Sequence, residues 1–162
     1  MGACWTRCDG SDAVFLVIGY GNELRRDDGL GPRAARTVDS WGLSGVKVRT
    51  VHQLTPELSA EIAQCDEVIF IDADCGPDKG VRLRAVEPAS SAAPSFHASS
   101  PASLLALVAA VWDLRPTASQ VTIPGCDFDF GEGLSPEADV ALAQALGEVR
   151  RKIEETTCTR SA

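Results

Sequence analysis

An apolar run, residues 14–18, leads directly into a glycine-bracketed segment, residues 19–31, that contains the adjacent carboxylates Asp27 and Asp28. Five consecutive apolar residues are typical of a strand buried on both faces of a parallel sheet. Glycine tolerates positive φ and close backbone approach, so the segment can present side chains in a fixed geometry. The sequence therefore predicts a buried strand whose carboxyl end carries two acidic groups.

Strand-like and helix-like segments alternate along the rest of the chain, which favours an α/β fold. Further strands are predicted over 46–51, 67–71, 80–86 and 120–123, and helices from residue 32 and over 55–64, 101–114 and 136–155. We expect a single domain with a mostly parallel, twisted sheet of about five strands, flanked by helices on both faces in a three-layer sandwich. The domain is expected to span 13–156, with flexible segments over 1–12 and 157–162.

Composition excludes several classes of partner. The 162 residues carry a formal net charge of −8 and no basic stripe that could neutralise a nucleic-acid backbone. No apolar run approaches the roughly 20 residues that span a bilayer, and the N-terminus lacks the apolar core of a signal peptide. We expect a cytoplasmic protein without a nucleic-acid or membrane partner. Its six cysteines are expected to be free thiols, because stable disulfides are rare in that compartment.

The glycine-bracketed segment could serve a nucleotide or a helix cap instead of a cation. A dinucleotide site needs G-x-G-x-x-G, but Leu24 stands where the third glycine belongs after Gly19 and Gly21. Asp27 and Asp28 would also face the phosphate, and a helix dipole of roughly half a charge does not offset two carboxylates. Alternatively, the aspartates cap the following helix. One aspartate suffices for a cap, so the other can bind a cation.

A further carboxylate and two histidines could complete a cation site. Asp72 ends the third predicted strand, and ligands of such sheets gather at the carboxyl ends of the strands. If the first and third strands are neighbours, Asp28 and Asp72 face one crevice. His97 lies in a long loop before a predicted helix, and His52, after the second strand, is the alternative nitrogen donor. One nitrogen and two oxygens form an incomplete set that suits nickel, zinc or iron.

Several strings occur here in an order that is typical of one family. G-x-G-N-x-L-x-x-D-D-G over 19–29 is followed by Asp72 after an apolar strand, and then by a histidine before a helix. From about 14 to 153 the chain resembles the hydrogenase maturation proteases (peptidase family M52), nickel-dependent endopeptidases that trim the C-terminus of the NiFe hydrogenase large subunit. The strings over 52–58 and 127–136 resemble the branch that serves NAD-linked bidirectional hydrogenases.

The resemblance implies that Asp28, Asp72 and His97 are the catalytic and metal-contacting residues, with Asp27 in a capping or supporting role. It implies that the enzyme holds no nickel of its own, because the large-subunit precursor arrives with nickel on its cysteine thiolates. The nickel as Lewis acid, or a carboxylate that activates water, would assist cleavage. We expect a monomer whose partner is that precursor. A non-catalytic nickel-checking chaperone, or an autonomous metallohydrolase with its own zinc, would use the same side chains.

Overall fold

The order of strands and helices follows the predicted alternation. The computed structural model describes residues 15–77, 80–90 and 100–160. The elements are β1 (Phe15–Tyr20), α1 (Leu30–Ser40), β2 (Val46–Val51), α2 (Leu58–Ile62), β3 (Glu67–Asp74), β4 (Arg82–Ala85), α3 (Pro101–Trp112), β5 (Thr117–Pro124) and α4 (Pro136–Arg160). A one-turn 3₁₀-helix, Arg26–Gly29, precedes α1. The predicted segment 1–12 lies outside the described residues, and α4 continues into the predicted tail.

The five strands form one sheet in the order β2-β1-β3-β5-β4. All neighbours are parallel except β4, which pairs antiparallel with β5. The prediction of a mostly parallel, five-stranded sheet is confirmed. β1 lies directly beside β3, with Gly19 opposite Ile71, so the segment after β1 and the end of β3 share one edge of the sheet.

Helices cover both faces of the sheet. Phe15 and Val17 of β1 point into a cluster that includes apolar residues of α1 and α4. The alternate residues Leu16 and Ile18 point into a second cluster, which includes apolar residues of α2 and α3. Because side chains alternate along a strand, a continuous apolar run supplies both clusters. The three-layer sandwich predicted from the sequence is therefore confirmed.

The two edge strands, β2 and β4, are more polar than the central ones. Lys47 and Arg49 of β2 are exposed, between half-buried valines. In β4, Arg84 is exposed and Arg82 is half-buried. The alternation predicted over 46–51 thus marks an edge strand with one wet face.

Some element boundaries differ from the predicted ones. β5 begins at Thr117, three residues before the predicted start, because Thr117 pairs with Glu67 at the start of β3. α3 ends at Trp112, and Asp113 after it adopts a left-handed φ of 53°. No described helix has the length and apolar character required to cross a membrane.

Candidate active site at the carboxyl edge of the sheet

Two glycines allow the segment after β1 to fold back against the strand it leaves. Gly21 has a φ of +141°, and a Cβ there would lie 2.0 Å from the carbonyl oxygen of Asp28. A Cβ at Gly19 would lie 2.1 Å from the carbonyl oxygen of Gly31. Any larger residue would clash with the backbone at both positions. The glycines thus bring the 3₁₀-helix and the start of α1 against the end of β1.

Asp28 is the half-exposed carboxylate of this segment. Its Oδ2 accepts a hydrogen bond of 2.8 Å from the backbone N–H of Asn22. Its own N–H donates to the carbonyl oxygen of Arg25 at 3.0 Å. The backbone of a tight turn therefore fixes the position of the Asp28 carboxylate at the edge of the sheet.

Asp72, near the end of β3, lies within electrostatic reach of Asp28. Burial raises the pKa of Asp72 to about 6, and the negative charges of Asp28 and Asp74 act in the same direction. Hydrogen bonds from the Tyr20 side chain and the Ala73 backbone act against this rise. The structure thus brings together two of the three predicted site residues, and one of them carries a perturbed pKa of the kind found at functional sites.

Tyr20, the last residue of β1, joins Asp72 to the fifth strand. The Tyr20 hydroxyl accepts a hydrogen bond of 3.1 Å from Nε2 of Gln120 in β5 and is hydrogen-bonded to the Asp72 carboxylate. Burial and the charge of Asp72 raise the pKa of Tyr20, so the phenol stays protonated. The sequence prediction included neither residue. The position of Tyr20 between Gly19 and Gly21, at a strand end, is the one signal that could have found it.

A third carboxylate at this edge, Asp74, is held by other groups. It forms an ion pair with Arg82 of β4, and its Oδ1 accepts the N–H of Gly76 at 2.9 Å. Arg82 also contacts the Thr122 hydroxyl at 3.4 Å. Asp74 therefore ties β3 to the edge strand and acts on the site through its charge on Asp72.

Asp27 is fully buried and does not cap the helix that follows it. Among the described residues no side-chain hydrogen bond caps the 3₁₀-helix or α1, so of the two predicted roles, capping or support, the capping role is wrong. Its Oδ2 accepts the N–H groups of Cys126 and Asp127, both at 2.9 Å, and the Ser135 hydroxyl at 2.8 Å; its Oδ1 accepts the Ser135 N–H at 2.8 Å. Burial alone would raise the pKa of Asp27, but these hydrogen bonds outweigh it and the pKa is lowered. Asp27 supports the site by anchoring the β5–α4 loop.

The β5–α4 loop, residues 125–135, lies along the segment 21–29, and we call the two together the paired loops. Backbone hydrogen bonds join them: Arg26 donates to Gly131 at 3.0 Å, Gly131 to Leu24 at 2.9 Å, and Asp27 to Asp127 at 3.0 Å. Arg25 donates from Nε to the carbonyl oxygen of Phe128 at 3.1 Å and stacks on the Phe130 ring at 5.4 Å. The paired loops form a fixed wall beside Asp28.

Of the two candidate nitrogen donors, the structure describes only His52. His97 lies outside the described residues. His52 follows β2 directly and is exposed. Within 15–77, 80–90 and 100–160, no three His, Cys, Asp or Glu side chains are grouped to hold a metal ion. Cys75 and Cys126 are free thiols, as predicted, and the buried Cys65 Sγ donates to the carbonyl oxygen of Glu61 at 3.3 Å.

The fold is shared with solved structures of maturation proteases, although no family model and no curated protein matches the sequence. The hydrogenase maturating endopeptidase HybD from E. coli superposes with a TM-score of 0.70 at 19% identity, over 88% of this chain and 93% of that one. The hydrogenase 2 maturation peptidase from a Thaumarchaeota archaeon gives 0.66 at 21% identity, over 87% and 98%. The hydrogenase maturation protease HybD from Thermococcus kodakarensis gives 0.62 at 22%, over 86% and 98%. The fold implied by the resemblance is confirmed.

Proposed function

We propose that this chain is an endopeptidase that removes the C-terminal extension of a NiFe hydrogenase large-subunit precursor. The observation that carries the proposal is the pair Asp28 and Asp72, which lie at one edge of the sheet within electrostatic reach of each other. The shared fold with structures named as hydrogenase maturation proteases supports it. The glycine-bracketed segment that places Asp28 is the same string that carries the family resemblance.

The two carboxylates suit a metal that the substrate carries. Two oxygen donors, with His97 or His52 as a third ligand, leave a coordination set incomplete. The cysteine thiolates of the precursor, which would already hold the nickel, would supply the remaining ligands. Asp28, Asp72 and His97 would then dock the precursor and test whether nickel is loaded. Nickel is in this scheme part of the substrate.

Asp72 has the properties of a group that exchanges a proton during hydrolysis. With a pKa of about 6, the carboxylate is mostly ionised at neutral pH yet basic enough to accept a proton from water. That water would attack the scissile carbonyl carbon as Asp72 takes its proton, and the proton would pass to the amide nitrogen as the C–N bond breaks. The alternative is that nickel polarises the carbonyl as a Lewis acid and Asp72 serves only to bind it.

The paired loops support the assignment of the substrate to the NAD-linked bidirectional hydrogenases. The string over 127–136, which with 52–58 carries that part of the resemblance, occupies most of one of these loops, ends at the first residue of α4 and lies along the segment that holds Asp28. A loop in this place would contact whatever approaches the carboxylates. We place the reaction in the cytoplasm and assign the acting form as a monomer.

The test is a maturation assay. The purified protein is mixed with nickel-loaded large-subunit precursor, and release of the C-terminal peptide is followed by mass spectrometry. We expect release from the nickel-loaded precursor and none from the nickel-free one. Asp28→Ala and Asp72→Ala should each abolish release while the protein stays folded. Asp39→Ala, which alters an exposed carboxylate on α1, is the matched control and should behave as wild type.

Other outcomes would support different functions. Stable association with the precursor but no released peptide, under conditions where a control protease works, would identify a nickel-checking chaperone. Peptide hydrolysis without nickel in the precursor, by protein that carries stoichiometric zinc, would identify an autonomous metallohydrolase. Normal processing by Asp28→Ala or Asp72→Ala would contradict the site assignment.

A further inference from the structure

On three adjacent strands, the face toward α2 and α3 changes from apolar to polar at the same edge. Ile18, Phe70 and Ala118 belong to the buried cluster on this face. Two residues later the strands carry Tyr20, Asp72 and Gln120, all half-buried. Because residues i and i+2 share a face, and β3 lies between β1 and β5, these three side chains lie on one face. Tyr20 follows the Gly19–Ile71 pair and is level with Asp72, whereas Gln120 lies opposite Phe70, one step nearer the apolar cluster. We call the three side chains the polar row.

The polar row is joined by hydrogen bonds that run in one direction. Gln120 donates from Nε2 to the Tyr20 oxygen at 3.1 Å. A carboxamide N–H can only donate, so the Tyr20 hydroxyl acts as acceptor toward Gln120 and keeps its own proton for another partner. That partner is the Asp72 carboxylate, to which Tyr20 is hydrogen-bonded. The amide on β5 thus determines which way the hydroxyl on β1 donates.

We propose that Tyr20 and Gln120 are positioning residues that hold the Asp72 carboxylate in one orientation toward the crevice. The torsion that turns an aspartate carboxylate about its own axis has only a broad preference. A hydrogen bond that Tyr20 donates to one oxygen removes that freedom and directs the second oxygen outward. This inference rests on the proposed function, because it assigns a purpose to the orientation of a group that meets the substrate.

Packing alone does not explain these two residues. Partly burying a hydroxyl and an amide brings a desolvation penalty that phenylalanine and leucine would avoid. On the same face of the sheet, the residues two positions earlier in each strand, Ile18 and Ala118, are apolar and buried. Tyr20 is also the only tyrosine of the chain. The polar atoms of these two side chains therefore indicate a role in orienting the Asp72 carboxylate.

Kinetics of precursor cleavage test the inference. Tyr20→Phe removes only the hydroxyl and should lower kcat about tenfold, the equivalent of one hydrogen bond to a charged group, with KM changed less than about twofold. Gln120→Leu should lower kcat by about threefold to tenfold by the same reasoning. Because Gln120 acts through the Tyr20 hydroxyl, the double variant should be no slower than Tyr20→Phe alone.

The control for disturbed packing is Ser119→Ala, which alters a buried residue of β5 that faces the opposite side of the sheet. It should leave kcat unchanged. A Tyr20→Phe variant with wild-type kcat, or a double variant whose losses multiply, would overturn the inference. Multiplying losses would show that the two side chains act independently on the fold.

A second measurement needs no cleavage and separates this inference from the proposed function. The carboxyl carbon of Asp72 is observed by ¹³C NMR in the free protein and assigned with Asp72→Asn. Tyr20→Phe and Gln120→Leu should both shift this resonance in the same direction, and Ser119→Ala should not. An Asp72 resonance that Tyr20→Phe leaves in place would overturn the inference; a wild-type protein that releases no peptide would overturn only the proposed function. If Tyr20→Phe does not fold, an unmoved resonance in Gln120→Leu overturns it.

Discussion

Asp27 and Asp28 are adjacent in the chain, yet their carboxylates lie in opposite environments. Asp27 is fully buried and accepts four hydrogen bonds from the β5–α4 loop. Asp28 is half-exposed, held by one backbone N–H, at the edge that Asp72 shares. One residue fixes the wall of the crevice and the next faces into it. A single aspartate could not both anchor the β5–α4 loop and face the crevice, so both residues are needed.

The charged Asp72 carboxylate should lower the free energy of unfolding while it is required for processing. At neutral pH its carboxylate is charged although its folded-state pKa, about 6, lies above the ordinary value of 3.8. Asp72→Asn removes that disfavoured charge and should raise the free energy of unfolding at pH 7.5 by about 1–2 kcal/mol, while processing is lost. The check is urea denaturation beside the maturation assay.

The pH dependence of this gain has a fixed sign. Between pH 4 and 6 the native state binds more protons at Asp72 than the unfolded state, so wild-type stability falls as pH rises through this window. The advantage of Asp72→Asn should therefore be absent near pH 4 and complete above about pH 7. Asp39→Asn is the control. An advantage that does not change between pH 4 and 7 would contradict the buried, charged state of Asp72.

Asp27→Asn should destabilise the protein by about 2–4 kcal/mol at pH 7, well above the roughly 1 kcal/mol of a helix cap. The amide cannot accept all four hydrogen bonds, and its NH₂ would face backbone donors. Because hydrogen bonding lowers the folded-state pKa of Asp27, its contribution is full above the ordinary aspartate range and is lost on acidification. Urea denaturation at pH 7 and near pH 3 should show the gap between the two proteins narrow. A loss of only about 1 kcal/mol at pH 7 would show that the four hydrogen bonds stabilise the fold no more than a helix cap does.

At the scale of single residues, the sequence predicts which residues lie at strand ends, but it does not predict hydrogen-bond partners that are distant in the chain. Asp28 lies in the segment after one apolar run and Asp72 directly follows another, so the sequence predicts that they share an edge if the two strands are neighbours. The partners of Asp27 lie 99 to 108 residues away, and Gln120 lies 100 residues from Tyr20. No local pattern encodes pairs at that distance, because they form only when the sheet order is set.

At the scale of elements, the return of the chain after β1 depends on Gly21. Gly21→Ala would place a Cβ 2.0 Å from the Asp28 carbonyl oxygen at a φ of +141°. We expect a loss of about 2–4 kcal/mol in the free energy of unfolding, since strain and a backbone clash add. Processing should also fall, because relief of the clash displaces Asp28.

The matched control is Gly42→Ala. Gly42 also has a positive φ, +60°, but a Cβ there meets nothing within 4 Å. It should lose only the roughly 1–2 kcal/mol of a left-handed backbone, with processing intact. Equal losses in the two variants, measured by thermal unfolding and the maturation assay, would show that the close approach at Gly21 is unimportant.

The predicted boundaries differ from the observed ones in β4 and β5, the strands whose limits are set by pairing with a neighbour. β5 begins early because β3 offers hydrogen-bonding partners from Glu67 onward. β4 is four residues long although apolar and polar residues alternate over a longer stretch, and its antiparallel direction follows from its place beside β5. Periodicity detects that a strand exists, whereas pairing decides where it stops.

At the scale of the whole molecule, we expect folding to be independent of bound metal. Purified protein should carry no stoichiometric zinc or nickel by elemental analysis, and EDTA should leave its Tm unchanged, because the core is formed by two apolar clusters on either side of the sheet. Processing should depend on nickel in the precursor. A Tm that drops by several degrees in EDTA would indicate a resident structural metal and contradict the borrowed-nickel scheme.

The overall architecture was the most predictable property of the chain. Continuous apolar runs such as the one before Gly19 require a sheet covered on both sides, and the alternation of strands with helices then leaves few topologies. The site requires β1 to lie beside β3, and the sequence left this order open, because the preference for adjacency concerns consecutive strands and these are the first and third. The sequence also left open the side on which β4 joins.

The polar character of β2 and β4 has a consequence for how copies of this protein meet. An open sheet ends in rows of unpaired backbone groups, which invite another chain to extend the sheet. Here each outermost strand alternates cationic side chains with small or aliphatic ones: Lys47 and Arg49 on one, Arg82 and Arg84 on the other. Pairing two such edges would desolvate these cationic side chains and disturb the ion pairs that Arg49 forms with Glu61 and Arg82 with Asp74. We therefore expect these edge strands to resist extension of the sheet by another copy, while the carboxyl edge that carries Asp28 and Asp72 takes no part in such pairing.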